Sequence, residues 1–375
     1  MNPIVLVAYF FHLMAVAMIW LPMYKRLTSQ VGADSSLLAM SFGFGAFAAF
    51  LVLRQLQRMP YLTFSAIAAE VLLALSVLVA KREIMVDISD WQSLVLAFFA
   101  IGFTQSFVFS ILQSMIFRNA TRQQAFRLRS IGTLGFGFGV AMYLTKLTHD
   151  NALEIAIYIL AIVAALLLAA LKGNELPSVS PAAGTTTFLP IVMLVLLLAF
   201  MGSFLEGING QTAQKWLSES IDENNAVLLI LAGLFLEAML LLYFAPFVSD
   251  ATLVLLGFIG WFLVFQGFAM SVYSLSVCSC FNCALGFTLA SQLARFHRPS
   301  YQALLCVMNA VGNQFASISI LTCRQFVGED YIAFVAFAVA IVAVAIAACT
   351  LFRMSQLGLP IDKLDSRTSS TSEAV

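Results

Sequence analysis

Charged side chains are scarce in this sequence. Asp, Glu, Lys and Arg make up only 10% of the 375 residues, whereas hydrophobic residues make up 61%. Soluble globular domains carry about 25% charged residues, so this composition excludes a soluble fold and indicates an integral membrane protein. The 19 basic residues balance the 19 acidic residues, so no excess of positive charge points to a nucleic-acid partner.

Residues that build metal centres and catalytic sites are also few. The chain has six cysteines and three histidines. Cys278, Cys280 and Cys283 lie close together, but no histidine accompanies them and a helix would point Cys278 away from the other two. The sequence has no Walker-type P-loop, no H-E-x-x-H and no G-x-S-x-G motif. We therefore expect no metal, no cofactor and no enzymatic activity.

Long apolar runs fill most of the chain. Since a membrane helix needs about 20 apolar residues, these runs predict an all-α polytopic membrane protein with about twelve transmembrane helices. The predicted segments are 3–24, 36–53, 60–79, 92–116, 129–147, 152–171, 188–212, 226–245, 251–269, 271–293, 301–321 and 331–352.

One polar stretch divides the predicted helices into two equal groups. Residues 172–187 read KGNELPSVSPAAGTTT and predict a central cytoplasmic linker. We therefore expect one six-helix bundle over residues 1–171 and a second over residues 188–357, the pattern of a duplicated transporter. The polar tail over residues 358–375 is expected to be disordered and cytoplasmic.

The distribution of basic residues predicts the orientation in the membrane. Arg118, Arg122 and Arg127 precede the fifth segment and Arg129 is its first residue, and clustered basic residues in short loops stay on the cytoplasmic side. We expect a multi-pass protein of a bacterial-type inner (plasma) membrane with both termini cytoplasmic. No Lys or Arg is left for the middle of a predicted helix, so a strongly anionic solute would find no partner for its charge.

Ionisable residues within the predicted helices are candidates for function, because charge at membrane depth is unfavourable. Glu237 lies in the middle of the eighth segment, Glu70 in the third and His12 in the first. We expect Glu237 to be the main proton-coupling residue, assisted by Glu70 and His12. The alternative is a structural role in which each side chain only hydrogen bonds to a neighbouring helix.

Other polar side chains in apolar segments predict a binding site for a neutral polar solute, since amides both donate and accept hydrogen bonds. In the seventh segment Glu206 and Asn209 are three residues apart and share a helical face. Hydrogen bonds between helices, or an interfacial position for Glu206, would explain the same residues. The predicted solute-binding residues are Glu206, Asn209, Gln105, Gln113, Asn309 and Asn313.

Glycines in the fifth segment predict close helix packing. Gly132, Gly135 and Gly139 share one face, and Arg129 stands just before them. In a two-bundle transporter the fifth helix belongs to the seam between the halves, so we expect these glycines to face the other bundle and to permit rocking. Generic packing between neighbouring helices is the alternative.

Several of these features resemble the major facilitator superfamily, and in particular its nucleoside:proton symporters and its oligosaccharide and phenylpropionate symporter-like proteins. The stretch Arg127–Gly139 is similar to the R-L-W-G-S-I-G-F pattern that enters the fifth helix in that branch. Glu237 matches a glutamate that lies in the substrate and proton path of nucleoside symporters. Glu206 and Asn209 resemble a polar pair in their seventh helix.

The sequence also departs from the superfamily. The loop after the second segment reads LRQLQRMP and lacks the Asp of the usual G-x-x-x-D-R-x-G-R-K motif. The ninth and tenth segments lack the Arg, His and Glu that lactose-type symporters use.

The expected function is proton-coupled symport of a small neutral polar solute, such as a nucleoside or a sugar, by rocker-switch alternating access. The expected partners are this solute, protons and the lipid bilayer. The alternatives are a proton antiporter that exports amphipathic or cationic compounds, and a transporter-like sensor or scaffold that moves no solute.

Overall fold

The computed structural model describes most of the first 171 residues and parts of the remainder. The described residues are 2–30, 35–56, 62–86, 90–117, 122–145, 151–171, 193, 196–205, 207–208, 223–248, 307–308, 311–312, 315–316, 318–320, 322–323, 326–328 and 330–356. Within these ranges the regular structure is helical and no strand occurs, which confirms the predicted all-α class.

Nine helices of the described chain can be assigned to predicted segments. They are α1 (Pro3–Gln30), α2 (Ser35–Leu56), α3 (Leu62–Val86), α4 (Trp91–Phe117), α5 (Arg122–Leu144), α6 (Ala152–Leu171), α7 (Leu196–Leu205), α8 (Glu223–Met239) and α9 (Asp330–Gln356). After α8 the chain continues as a π-helical turn, Leu240–Phe244, and a 3-10 turn, Ala245–Phe247. We call these two turns the α8 extension. The predicted segments 251–269 and 271–293 lie outside the described residues, so the count of twelve and the division into two bundles stay predictions.

Several helices extend beyond the apolar runs that predicted them. α1 continues past Lys25 and Arg26, and α5 begins at Arg122 rather than at Arg129. Lys, Arg and Gln are good helix formers, so a helix can continue past the last apolar residue of a run. The apolar run therefore marks the part of a helix within the membrane core and not the full helix.

Four of the described helices are long and apolar enough to cross a membrane: Pro3–Met23, Leu62–Arg82, Trp91–Gln113 and Ala152–Leu171. Large apolar side chains such as Leu75 and Leu96 are more than half exposed along them. Helices satisfy their own backbone hydrogen bonds, so they tolerate lipid contact along such faces. The chain is a multi-pass membrane protein.

The first six helices pack into one bundle. α1 contacts both α5 and α6, α3 contacts both α4 and α6, and α2 packs along α4. α5 also contacts α8 and its extension, so it joins this bundle to the part of the chain that follows the predicted linker. Leu241 and Ala245 of the extension belong to the same buried cluster as Tyr9 of α1 and Phe126 of α5.

Glycines allow the backbones of neighbouring helices to approach closely. A Cβ atom at Gly45 of α2 would lie 2.1 Å from the carbonyl oxygen of Phe99 in α4, and one at Gly102 of α4 would lie 2.1 Å from that of Phe42 in α2. The crossing of α2 and α4 therefore requires glycine on both helices.

The glycines of α5 do not lie where the sequence placed them. Gly132, Gly135 and Gly139 face α1, and Cβ atoms there would come within 2.6 Å of Tyr9, 2.5 Å of Phe10 and 2.3 Å of Met14. The expectation that they face the other half is therefore wrong. Shared spacing identified the packed face correctly, but it carries no information about which neighbour packs there. Gly137, on another face, lies against Leu234 of α8.

Candidate functional site

Two of the predicted proton-coupling residues contact each other. His12 of α1 and Glu70 of α3 are both fully enclosed, and His12 Nδ1 lies 2.6 Å from Glu70 Oε1. At this distance the two atoms share a hydrogen bond, donated by whichever side chain carries the proton. Apart from this hydrogen bond, α1 and α3 contact each other little. The main neighbours of α1 are α5 and α6, and those of α3 are α4 and α6.

The His12–Glu70 pair lies where two apolar clusters meet. Leu13 and Ala69 belong to one cluster, whereas Met14 and Leu73 belong to the other. The pair is therefore flanked by apolar packing towards both ends of the bundle. Isolated charge is strongly unfavourable in such surroundings, so a hydrogen-bonded pair of ionisable side chains there is a candidate for function.

Each member of the pair has one atom without a hydrogen-bond partner. Within the described structure these atoms are His12 Nε2 and Glu70 Oε2. The Nδ1–Oε1 hydrogen bond holds one proton, and a second proton on either remaining atom changes the pair from one negative charge to none. Because both atoms are enclosed, this second proton can exchange only when water reaches the pair. The arrangement is chemically suited to binding and releasing one proton during a conformational change.

The third predicted proton-coupling residue, Glu237, lies at the contact between α5 and α8. Its side chain is only 4% exposed. The hydroxyl of Thr133 on α5 donates a hydrogen bond to Glu237 Oε1 at 3.1 Å. One turn earlier on α5, the hydroxyl of Ser130 donates to the carbonyl oxygen of Ala238 at 2.9 Å. Two buried hydrogen bonds therefore connect the helices on either side of the predicted linker.

The helix changes its geometry directly after these two contacts. The π-helical turn begins at Leu240, just after Glu237 and Ala238. π-helical turns occur frequently at functional sites, and side chains that bond to backbone carbonyls are a known cause of local changes in the hydrogen-bond ladder. Ser130, which binds the carbonyl of Ala238, is such a side chain.

Arg129 departs from its predicted place. Because α5 begins at Arg122, Arg129 lies inside the helix instead of at its entrance. Its side chain is half-buried, and Nη1 donates to the hydroxyl of Tyr9 at 3.3 Å. Tyr9 is fully buried and also touches the face of α5 that carries Gly132. A cation therefore lies within the length of a helix, contrary to the expectation that all basic residues stand in loops or at helix ends.

The predicted solute-binding amides are described only in part. Gln105 Oε1 accepts a hydrogen bond from the indole of Trp20 at 3.2 Å, so its carbonyl joins α4 to α1. Gln113 is buried two turns further along α4. The side chains of Glu206, Asn209, Asn309 and Asn313 lie outside the described residues.

Sequence reasoning missed Thr133 and Ser130. In a sequence, Thr and Ser within an apolar segment are typical of helix packing, and nothing in their spacing pointed to the eighth segment. The available signal was that positions 130, 133 and 137 share one face of a helix and carry only small or hydroxyl side chains. No group of three or more His, Cys, Asp or Glu side chains that could hold a metal ion occurs among the residues that the structure describes.

Comparisons with known proteins identify the fold. No protein-family model matches the sequence, and no curated protein matches it. Solved structures of transporters of the major facilitator superfamily match nearly the whole chain, so the chain has the fold of this superfamily.

Three of these structures illustrate the likeness. The human organic anion transporter MFSD10 has a TM-score of 0.68 at 13% identity, covering 92% of this chain and 98% of its own. The E. coli fucose:proton symporter FucP has a TM-score of 0.65 at 13% identity, covering 93% of this chain and 98% of its own. The nucleoside transporter NupG has a TM-score of 0.65 at 11% identity, covering 92% of this chain and 98% of its own. The described helices thus confirm the predicted superfamily fold.

Proposed function

We propose that this chain is a secondary active transporter that moves a small neutral polar solute, such as a nucleoside or a sugar, together with protons. The mechanism is rocker-switch alternating access in a bacterial-type inner membrane, with both termini cytoplasmic. The similarity of its fold to those of a fucose:proton symporter and a nucleoside transporter supports this proposal.

The observation that carries the proposal is the enclosure of two carboxyl side chains within apolar helices. Glu70 is 0% exposed and Glu237 is 4% exposed. A carboxyl group at such a position is stable when it holds a proton or a strong hydrogen-bond partner, and it can exchange its proton only when a conformational change admits water. Proton coupling by alternating access needs groups of this kind.

Glu237 is the main protonation site in this proposal, because it lies at the contact between helices that precede and follow the predicted linker. The His12–Glu70 pair provides a second proton site inside the first bundle. Gln105 and Gln113, together with Glu206, Asn209, Asn309 and Asn313, remain the proposed solute-binding residues.

The first experiment identifies the solute and then drives its transport. Purified protein is screened by thermal shift against nucleosides, monosaccharides and amines. The solute that gives the largest shift is then tested for accumulation in proteoliposomes with and without an imposed proton gradient. We expect accumulation against the solute gradient only when protons flow inward.

Variants of single carboxyl groups then test the assignment of Glu237. Glu237→Gln is expected to abolish proton-driven accumulation while it retains exchange of labelled for unlabelled solute, because exchange needs no net proton movement. The matched control is Glu154→Gln, which removes a carboxyl that is 51% exposed and pairs with Lys81. Glu237→Gln with accumulation and pH dependence equal to those of the control contradicts the coupling role. Absence of transport for every solute in the panel contradicts the transporter proposal itself.

A further inference from the structure

The contact between α5 and α8 contains two hydroxyl groups with different acceptors. Ser130, 2% exposed, donates to a backbone carbonyl oxygen, and Thr133, 4% exposed, donates to the carboxyl group of Glu237. A backbone carbonyl keeps the same charge at every pH. A carboxyl group changes its charge, and hydrogen bonds to an ionised acceptor are roughly twice as strong as those to a neutral acceptor. Of these two contacts, the one between Thr133 and Glu237 can therefore respond to a proton, whereas the one between Ser130 and Ala238 cannot.

The opposite face of α5 is fixed to α1. Gly135 and Gly139 bring the two backbones so close that a Cβ atom would overlap the carbonyl oxygens of Phe10 and Met14. The face that carries Gly137 has ordinary van der Waals spacing to Leu234 of α8. Movement of α8 relative to the first bundle is therefore easier at the α5–α8 contact than at the α1–α5 contact, and such movement breaks the bond between Thr133 and Glu237.

We propose that Thr133 is a positioning residue that links the protonation of Glu237 to the packing of α8 on α5. This inference rests on the proposed proton-coupled transport. The Thr133 hydroxyl stabilises the ionised carboxylate of Glu237 only while the two helices are packed. By linkage, the ionised carboxylate stabilises the packed arrangement, and proton uptake by Glu237 weakens it. As pH falls and Glu237 gains a proton, the packed population therefore decreases.

Other charged or titratable groups lie on the elements around this contact. Arg129 precedes Thr133 by one turn on α5 and binds Tyr9 of α1. Tyr243 of the α8 extension is 63% exposed. The guanidinium group of Arg129 stays protonated over this pH range, so it produces no transition between pH 5 and pH 8. The His12–Glu70 pair, deeper in the first bundle, is the competing source of such a transition.

The experiment measures the packing of α5 on α8 directly. Spin labels are attached to cysteines placed at Phe138 and Phe235, which are 56% and 60% exposed, in full-length protein without its native cysteines. The distance distribution between the labels is recorded by pulsed electron resonance in lipid nanodiscs at pH 8 and pH 5. In the labelled protein that carries no further substitution, we expect the ratio of packed to separated populations to fall about five-fold or more between pH 8 and pH 5. A five-fold change is the lower end of typical coupling between sites.

Four variants separate the possible causes. Thr133→Val removes the hydroxyl at constant shape and is expected to lose most of the pH response, whereas Thr133→Ser keeps the hydroxyl and is expected to retain it. Ser130→Ala is expected to weaken the packed arrangement equally at both pH values. Thr104→Val is the matched control, because the hydroxyl of Thr104 binds Ala100 of its own helix.

The outcomes distinguish this inference from the proposed function. A full pH response in Thr133→Val overturns the role of Thr133, even where Glu237→Gln abolishes proton-driven accumulation. A response that survives in Glu237→Gln assigns the transition to another group, such as the His12–Glu70 pair, and also overturns it. Loss of the response in both Thr133→Val and Glu237→Gln, with retention in Thr133→Ser, supports it.

Discussion

At the scale of single residues, single and double substitutions of His12 and Glu70 can distinguish the contribution of the pair to stability from its contribution to function. Removing one partner leaves the other buried without its hydrogen bond, which typically costs about 3–5 kcal/mol of the free energy of unfolding. Replacing both partners with apolar side chains of similar size is often neutral. We therefore expect His12→Leu and Glu70→Leu each to lower the thermal unfolding temperature in detergent, and the double substitution to restore most of it.

The same double variant tests whether the pair carries a proton. If the pair only holds α1 and α3 together, the restored variant accumulates solute with the pH dependence of the parent protein. If it carries a proton, the restored variant is stable but its proton-driven accumulation is altered. Equal losses of stability in the single and double variants would contradict the description of the pair as a mutually compensating contact.

The sequence predicted which candidate residues lie inside the helix bundle better than it predicted their contacts. Glu70, His12 and Glu237 were found because each is an ionisable residue within an apolar segment, and all three are buried. The pairing of His12 with Glu70 joins positions 58 residues apart on different helices, and one sequence carries no signal for such a contact. Thr133 was missed for a related reason, since its role depends on which helix lies opposite.

At the scale of helices, the crossing of α2 and α4 is expected to be intolerant of any side chain. A Cβ atom at Gly45 would meet Phe99 O at 2.1 Å and Phe103 N at 2.7 Å, and neither backbone atom can rotate away. Gly45→Ala gains helix propensity of up to about 1 kcal/mol but must separate two packed helices, which costs about 1–3 kcal/mol or more. We expect a clear loss of thermal stability, and the same for Gly102→Ala.

Gly137→Ala is the matched control for the glycine variants. Its Cβ atom would lie 3.7 Å from Leu234 Cβ, an ordinary van der Waals distance. The substitution should therefore leave stability unchanged or raise it through helix propensity. Equal stability of the Gly45→Ala and Gly137→Ala variants would show that the close approach of α2 and α4 is not required.

The beginning of α4 depends on a charged cap. Asp90 accepts hydrogen bonds from the Ser93 hydroxyl at 2.5 Å and from the backbone N–H groups of Ser93 and Gln92. The bond from the Ser93 hydroxyl, followed by that from its backbone, lowers the pKa of Asp90 below its usual value of 3.8. Because the folded-state pKa is the lower one, the cap stabilises α4 fully above pH 3.8 and loses its effect as pH falls through the lowered value.

Amide hydrogen exchange in the first turn of α4 measures this cap. Asp90→Ala is expected to speed exchange at Gln92 and Ser93 at pH 7, whereas Asp90→Asn, which also caps helices well, is expected to speed it less. The ratio of exchange rates between Asp90→Ala and the parent protein should approach one in strong acid, where Asp90 is protonated. A ratio that does not change with pH would contradict an ionised cap.

Helix positions were largely predictable, and helix ends were not. The apolar run 152–171 coincides with α6, Ala152–Leu171, at both its first and its last residue. The run that begins at Arg129 missed the first turns of α5, because RQQAFRLR is polar but still forms a helix. Hydropathy reports the contact with lipid, whereas helix length follows backbone propensity as well.

At the scale of the whole molecule, the predicted division into two bundles implies that the connection over residues 172–187 is not needed for the stability of either bundle. Among the residues that the structure describes, the parts on either side of this connection are joined by contacts between helices. α5 packs on α8 and its extension, and Leu241 and Ala245 lie in the same buried cluster as residues of α1 and α5. Exposed polar connections between units that fold separately generally tolerate insertion and cleavage.

A protease recognition sequence inserted between Val179 and Ser180 tests this division. After cleavage in proteoliposomes, we expect the two fragments to copurify through an affinity tag on either one, and proton-driven accumulation to continue at close to the uncut rate. The bilayer keeps both fragments in one plane, and the buried hydrogen bonds from Ser130 and Thr133 to the α8 region stay intact, so separation is opposed by the same contacts as before. The uncut insertion variant is the control for the inserted residues. Fragments that separate, or accumulation that stops on cleavage alone, would mean that the chain on the two sides of the linker does not form two self-sufficient bundles.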